Sequence, residues 1–181
     1  AEDGIRDLVR SRGLGDVYKR QGMRLIKLSR IRKNWRHHMG TRSNIAYANK
    51  DNEVFSSYCH YDGYIEHNGV MLLKHYNGEK QARDLVDNGY MSALKPTIEQ
   101  INEGRVHKDK PTEYNNEFLF MDELEALWVE FVYLFKEGKW YVAESDSIKT
   151  PQAYNRSQWF HTAFKPLDEV VSLEMMDREA S

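Results

Sequence analysis

The stretch VEFVYLFKEGKWYV, Val129 to Val142, limits the fold more than any other part of this chain. Val129, Phe131, Tyr133 and Phe135 alternate with Glu130, Val132 and Leu134. Glu137-Gly138 closes a turn, and Trp140 and Val142 answer on the return arm. A two-residue period in aromatic and β-branched residues is the pattern of an antiparallel hairpin. Apolar residues at both parities need cover on both faces, so the first arm is expected in the middle of a sheet.

A second hairpin is expected near the other end. In NIAYANKDNEVFSSYCHYDGY, Ile45 and Tyr47 alternate with Ala46 and Ala48, Asn49 to Asn52 is a turn cluster, and Val54 to Tyr61 is the return strand. Strand alternation puts Phe55, Ser57, Cys59 and Tyr61 on one side and Ser56, Tyr58, His60 and Asp62 on the other. The first set is the more apolar and is expected to face the core, with Asp62-Gly63 ending the strand.

Between the hairpins, NGVMLLKHYNG and EKQARDLVDNG each carry helical spacing and stop at Asn-Gly. Ser92 reads as the cap of a third short segment, and Pro96 as the first turn of a helix holding Ile98 and Ile101 and ended by Gly104. RVHKDKPTEYNN reads as a surface loop, FLFM as a short strand, and Asp122 to Leu127 as a helical turn. Ser145 to Thr162 carries no clear period. Phe164 to Met176 reads as a last helix, with Asp168 and Glu169 in its first turn, where the helix dipole favours acids. Strands at both ends with short helices between them, and a C-terminal helix, make this a single α+β domain.

The first 38 residues differ in character from the rest of the chain. Ala1 to Asp7 resembles the translation of a sequencing-library adapter, and Ser11 to Gln21 resembles that of a transposase-type adapter. Leu8 to Arg10 fits an index between them, so residues 1–21 are expected to be non-native. Residues 22–38 are basic, with Arg24, Lys27, Arg30, Arg32, Lys33 and Arg36 around Leu25, Leu28 and Ile31. They read either as a basic N-terminal helix starting at Met23 or as a leader translated in frame. Trp35-Arg36 can be encoded TGG-AGA or TGG-AGG, a string that holds the ribosome-binding core GGAG ahead of Met39, and this reading favours Met39 as the start and 39–181 as the domain.

That division changes the electrostatics. The whole chain has 26 Lys and Arg against 28 Asp and Glu, but residues 39–181 hold 15 against 24, nine negative charges in excess. Such a domain is repelled by phosphate backbones, so no nucleic-acid partner is expected for it. The chain's single cysteine, Cys59, cannot form an internal disulfide. No segment approaches the roughly 20 apolar residues of a membrane span. A cytoplasmic setting without a membrane partner is the expectation.

TRSNIA, YCHYDGY, GVMLLKHY and VYLFKEGKWYV together resemble a family of small uncharacterised bacteriophage and prophage proteins. Their members start at Met-Thr-Arg-Ser or close to it and carry Tyr-Cys-His-Trp-Asp-Gly-Tyr. The likeness runs from about Met39 to Leu167. Tyr61 stands here where Trp is usual, and Ile65 where Pro is frequent, so the loop after Gly63 departs from the pattern. The resemblance implies a phage source, a host-cytoplasm setting and a start at Met39. The family carries no assigned activity.

Cys59-His60 invites a thiolate–imidazole reading. Adjacent strand residues point to opposite faces, however, so Cys59 reads as a buried structural residue. His60, Asp62, Glu66 and His67 are metal-ligand types, but a glycine turn separates the two pairs, and neither a metal nor a cofactor is expected. Asp122, Glu123 and Glu125 read as an acidic helix start. NGEK and KEGK are turns, not phosphate-binding loops. The leading expectation is a non-catalytic accessory module that binds a host protein or small ligand through Arg42, Tyr58, His60, Asp62 and Tyr64. The alternatives are a small hydrolase or transferase using His60 and Asp62, and an acidic nucleic-acid mimic.

Overall fold

The computed structural model describes residues 40–105, 109–124, 128–145 and 163–178, all within one unit, Gly40–Ser181. The readings of residues 1–39, including the start at Met39, of 106–108 in the expected loop, of 125–127 and of 146–162 lie outside the described residues. Both expected hairpins are present. Strand β1, Ser43–Ala48, pairs antiparallel with β2, Val54–Cys59, from Ser43↔Cys59 to Ala48↔Val54. Strand β4, Phe131–Lys136, pairs with β5, Lys139–Glu144, across a Glu137-Gly138 turn with φ of 50° and 81°. Positive φ at both central residues is the turn that matches strand twist in a two-residue hairpin.

The hairpins share one sheet. β1 lies parallel to β4, with Ser43↔Phe131 and Tyr47↔Phe135 in register, and with two edge strands, β3 at Thr112–Tyr114 and β6 at Lys165–Pro166, the six strands run β3-β2-β1-β4-β5-β6. The parallel pair forms the centre. Parallel strands need cover on both faces, and every residue of β1 is buried. One face packs Ile45, Tyr47, Cys59, Tyr133, Phe135 and Trp140 beneath two helices, α1 at Val70–His75 and α2 at Glu79–Asp87. The opposite face packs Ala46, Val54, Val132 and Leu134 against Tyr114, Phe120, Met121 and Leu124. Helix α3, Ile98–Ile101, is capped by the Thr97 side chain, which accepts from the Gln100 N–H at 3.3 Å. Trp140, Tyr133, Phe120 and Phe135 are among the largest fully buried side chains, each contributing about 1.5–3 kcal/mol by its transfer from water.

Four local expectations are corrected. The FLFM stretch is helical, not extended: α4 spans Glu117–Leu124. The Asn116 side chain accepts from the Leu119 N–H at 3.0 Å, and Phe120, Met121 and Leu124 then fall on the buried face. The polar segment read as loop contains an edge strand, β3 at Thr112–Tyr114, held to β2 by Val54↔Tyr114. Such a strand needs only one apolar residue, so alternation cannot reveal it. Ser92 caps no helix; instead Met91 forms a parallel bridge to Cys59. The last helix is two short ones, α5 at Leu167–Val170 and α6 at Leu173–Arg178, interrupted where Val171 turns extended at φ −80°, ψ 115°. A two-residue strand, β6 at Lys165–Pro166, precedes them on the edge of β5.

Candidate functional site

The register brings Arg42, Tyr58 and His60, three of the expected residues, together with Glu130. Ser43 is paired with both Cys59 and Phe131, so Arg42, His60 and Glu130 lie one step beyond, at one end of the sheet and on one face. The Arg42 N–H donates to Glu130 Oε2 at 2.7 Å, and the Arg42 carbonyl accepts from the N–H groups of Glu130 at 3.0 Å and Phe131 at 3.3 Å. Tyr58, two residues before His60, points to the same face, and its hydroxyl lies 3.1 Å from His60 Nδ1. Burial raises the Tyr58 phenol above its ordinary pKa, and the nearby Arg42 charge opposes that rise.

Tyr90, which the sequence did not single out, completes the arrangement. The Met91 N–H donates to the Tyr58 carbonyl at 2.9 Å, and the His60 N–H to the Met91 carbonyl at 3.0 Å. These bonds fix the segment after α2 along the outer edge of β2. The Tyr90 ring then stacks on Tyr58 at 5.8 Å and 21°, Tyr58 meets His60 at 5.9 Å, and His60 meets Tyr61 edge-on at 4.3 Å. Tyr90, Tyr58, His60 and Tyr61 therefore form a continuous row of four rings. Its end members are the open ones, Tyr90 at 37% exposure and Tyr61 at 48%; Tyr61, expected to face the core with Cys59, lies past the end of β2, where strand alternation no longer holds. Strand periodicity could find Tyr58 and His60. It could not find Tyr90, which reaches them from a different element.

Asp62 and Tyr64 sit on the loop that follows rather than in the row. Asp62 is a half-buried turn residue at φ 58°. Gly63 presses against β1, where a Cβ would stand 2.8 Å from the Arg42 carbonyl carbon and from Ser43 Cβ. Its N–H donates to the Thr41 carbonyl at 2.8 Å. Tyr64 precedes a π-helical turn, Ile65–Gly69, and its ring lies 6.0 Å from that of His67.

Cys59 and His60 do point to opposite faces. Cys59 has no exposed surface, and its Sγ contacts the Tyr61 carbonyl at 3.4 Å and Asn68 Nδ2 at 3.6 Å. Asn68, also sealed, donates to Ser43 Oγ at 3.0 Å, and its Oδ1 lies 2.9 Å from His67 Nδ1. Burial pushes the Cys59 thiol up in pKa, with the hydrogen bond from Asn68 a smaller opposing effect. A thiol that is buried and slow to ionise is a poor nucleophile.

Among the described residues, no three His, Cys, Asp or Glu side chains converge as a metal-ligand set, and no helix is long and apolar enough to cross a membrane. A cleft of about 300 Å³ lies at the far end of the sheet, between the two hairpin turns, with Tyr47, Asn49, Glu79 and Glu137 in its walls. The ring row lies at the other end of the sheet, with Tyr58 and His60 half-buried and Tyr61 and Tyr90 exposed. No protein-family model, curated protein or solved structure matches the chain.

Proposed function

We propose that the chain is a phage or prophage accessory protein whose domain is a non-catalytic binding module, acting on a host protein through the sheet end around Arg42, Tyr58 and His60. The observation that carries this reading is the row of four rings with its end members open to solvent. Tyrosines give large contact area for few rotatable bonds, and such residues dominate binding hot spots. The row is held by the β2 strand and the Met91 bridge, so little ordering entropy is lost on binding. Asp62 and Tyr64 extend the face along the adjoining loop.

The test is capture from host lysate by the immobilised full chain, with a Tyr61→Ala/Tyr90→Ala chain as control. A single partner that saturates on the first and is lost on the second supports the reading. A partner retained equally by both removes the ring row from the function.

A second reading, a small hydrolase or transferase using His60 and Asp62, has one observation in its favour. The Tyr58 hydroxyl beside Nδ1 orients the imidazole, as a general base requires. A hydrolase screen separates the two readings, because a binding module turns over no substrate.

A further inference from the structure

We infer that the occupant of the ring row is an arginine-bearing segment of a partner protein, an inference that rests on the binding-module reading above. A row of aromatic faces takes flat π partners, and two biological classes supply them. Nucleobases stack on aromatic platforms, and guanidinium groups stack on the same faces through cation–π attraction.

Charge separates the two. Residues 39–181 carry 24 Asp and Glu against 15 Lys and Arg, a field that repels a phosphate backbone and draws in a cationic segment. The local groups agree with that sign. Arg42 and Glu130 are register neighbours at the sheet end, joined through the Arg42 backbone N–H, and contribute one charge of each sign. The loop that follows adds Asp62, half-buried, and Glu66, exposed, with His67 bonded to Asn68. Asp62 and Glu66, one and five residues after Tyr61, bring the acid to that open end of the row, while near the Tyr90 end the Arg105 guanidinium is turned onto the Asn88 carbonyl at 2.9 Å.

Arginine fits better than lysine for a geometric reason. Its planar guanidinium lies flat on a ring while its edge donates to carboxylates, whereas an ammonium is a compact, strongly hydrated point charge.

The experiment uses the full chain and fluorescence polarisation with four probes: labelled Gly-Arg, Gly-Lys and Gly-Glu repeat peptides of equal length, and a labelled oligothymidine. The Gly-Arg peptide is expected to bind saturably and more tightly than Gly-Lys. Its affinity should fall about tenfold in Tyr61→Ala/Tyr90→Ala, the loss of two ring contacts. Tyr61→Phe/Tyr90→Phe, which keeps the rings, should retain most of it. Both positions are open to solvent, so the fold should survive, and thermal melts of both variants check that it does.

Equal binding of Gly-Arg and Gly-Lys, unchanged by either variant, would mean diffuse charge attraction and overturns the inference. Oligothymidine binding that falls in the Ala variant but not the Phe variant overturns it in favour of stacked bases. Ring-dependent binding of Gly-Glu overturns the arginine class while leaving the binding face standing. If no probe binds, the arginine inference fails, and the lysate capture decides separately whether the face binds a protein at all.

Discussion

The Tyr133 hydroxyl donates to the Gly63 carbonyl at 2.9 Å, tying the central strand β4 to the loop that carries Asp62 and Tyr64. The two residues lie 70 positions apart, and the bond is sealed, since Tyr133 has no exposed surface. Removing one partner of a buried pair leaves the other unsatisfied, which costs more than the bond itself contributed. Tyr133→Phe should therefore destabilise by about 1–2 kcal/mol in urea titration, and hydrogen exchange should rise in residues 62–68. An unchanged midpoint would mean that water replaces the phenol at Gly63.

Buried phenols set an alkaline limit on stability. Burial raises Tyr133 well above the ordinary phenol range. It also raises Tyr76 to about 12, with help from Glu99, and Tyr114 to about 12, with help from Glu123. The fold thus holds protons that the unfolded chain releases near pH 10. This stability is intact below about pH 10 and is lost as pH rises through the folded values, because above that pH the unfolded state binds fewer protons. Denaturation midpoints should be flat with respect to these groups up to about pH 9 and fall toward pH 12, and Tyr114→Phe should make the fall shallower. An equally steep fall in that variant would remove Tyr114 from the effect.

Much of this fold is legible because alternation and turn chemistry act locally. Val129 to Val142 revealed both arms of a hairpin and the double-sided cover of the first, and Asn49 to Asn52 located the other turn. What stayed hidden depends on distant partners. The parallel pairing of β1 with β4 joins residues such as Ser43 and Phe131, and no local period records it. That pairing, with α4 beyond it, turns the second side of β2 into another core: Val54 is sealed there and Tyr58 half-covered, where alternation alone suggested a polar face. The candidate site divides in the same way. Tyr58 and His60 share a face by strand period, whereas Tyr90 arrives through the Met91 bridge.

Cys59 should behave as packing material rather than as a reactive group. Its thiol is sealed beneath Asn68 and Ser43 and is raised in pKa by burial. Cys59→Ala removes one sulfur from a close-packed site, a cost of about 1 kcal/mol, and should leave partner capture unchanged. A maleimide reagent should label the folded chain only as fast as the chain opens. Labelling at the rate of a free thiol would place Cys59 outside the core and revive its reading as a nucleophile.

Gly89 and Gly104 form a controlled pair, because both have left-handed backbones, with φ of 77° and 73°, and only their surroundings differ. A side chain at either position carries the strain of that conformation, about 1 kcal/mol for a non-glycine residue. At Gly104 a Cβ meets nothing within 4 Å, so Gly104→Ala should cost that strain and little more. At Gly89 the Cβ would lie 1.8 Å from the Asp109 carbonyl oxygen and 2.7 Å from its carbonyl carbon, which is backbone and cannot rotate aside. Gly89→Ala must then push residue 109 away from the C-terminus of α2. Tyr90 and Met91 follow directly, so the displacement reaches the bridge that holds the ring row. The expected loss is larger than for Gly104→Ala by about 1–3 kcal/mol, the usual cost of overpacking, and partner capture should weaken in Gly89→Ala alone. Equal losses of stability in the two variants would mean that the 109 segment yields freely and that the bridge at Met91 does not depend on it.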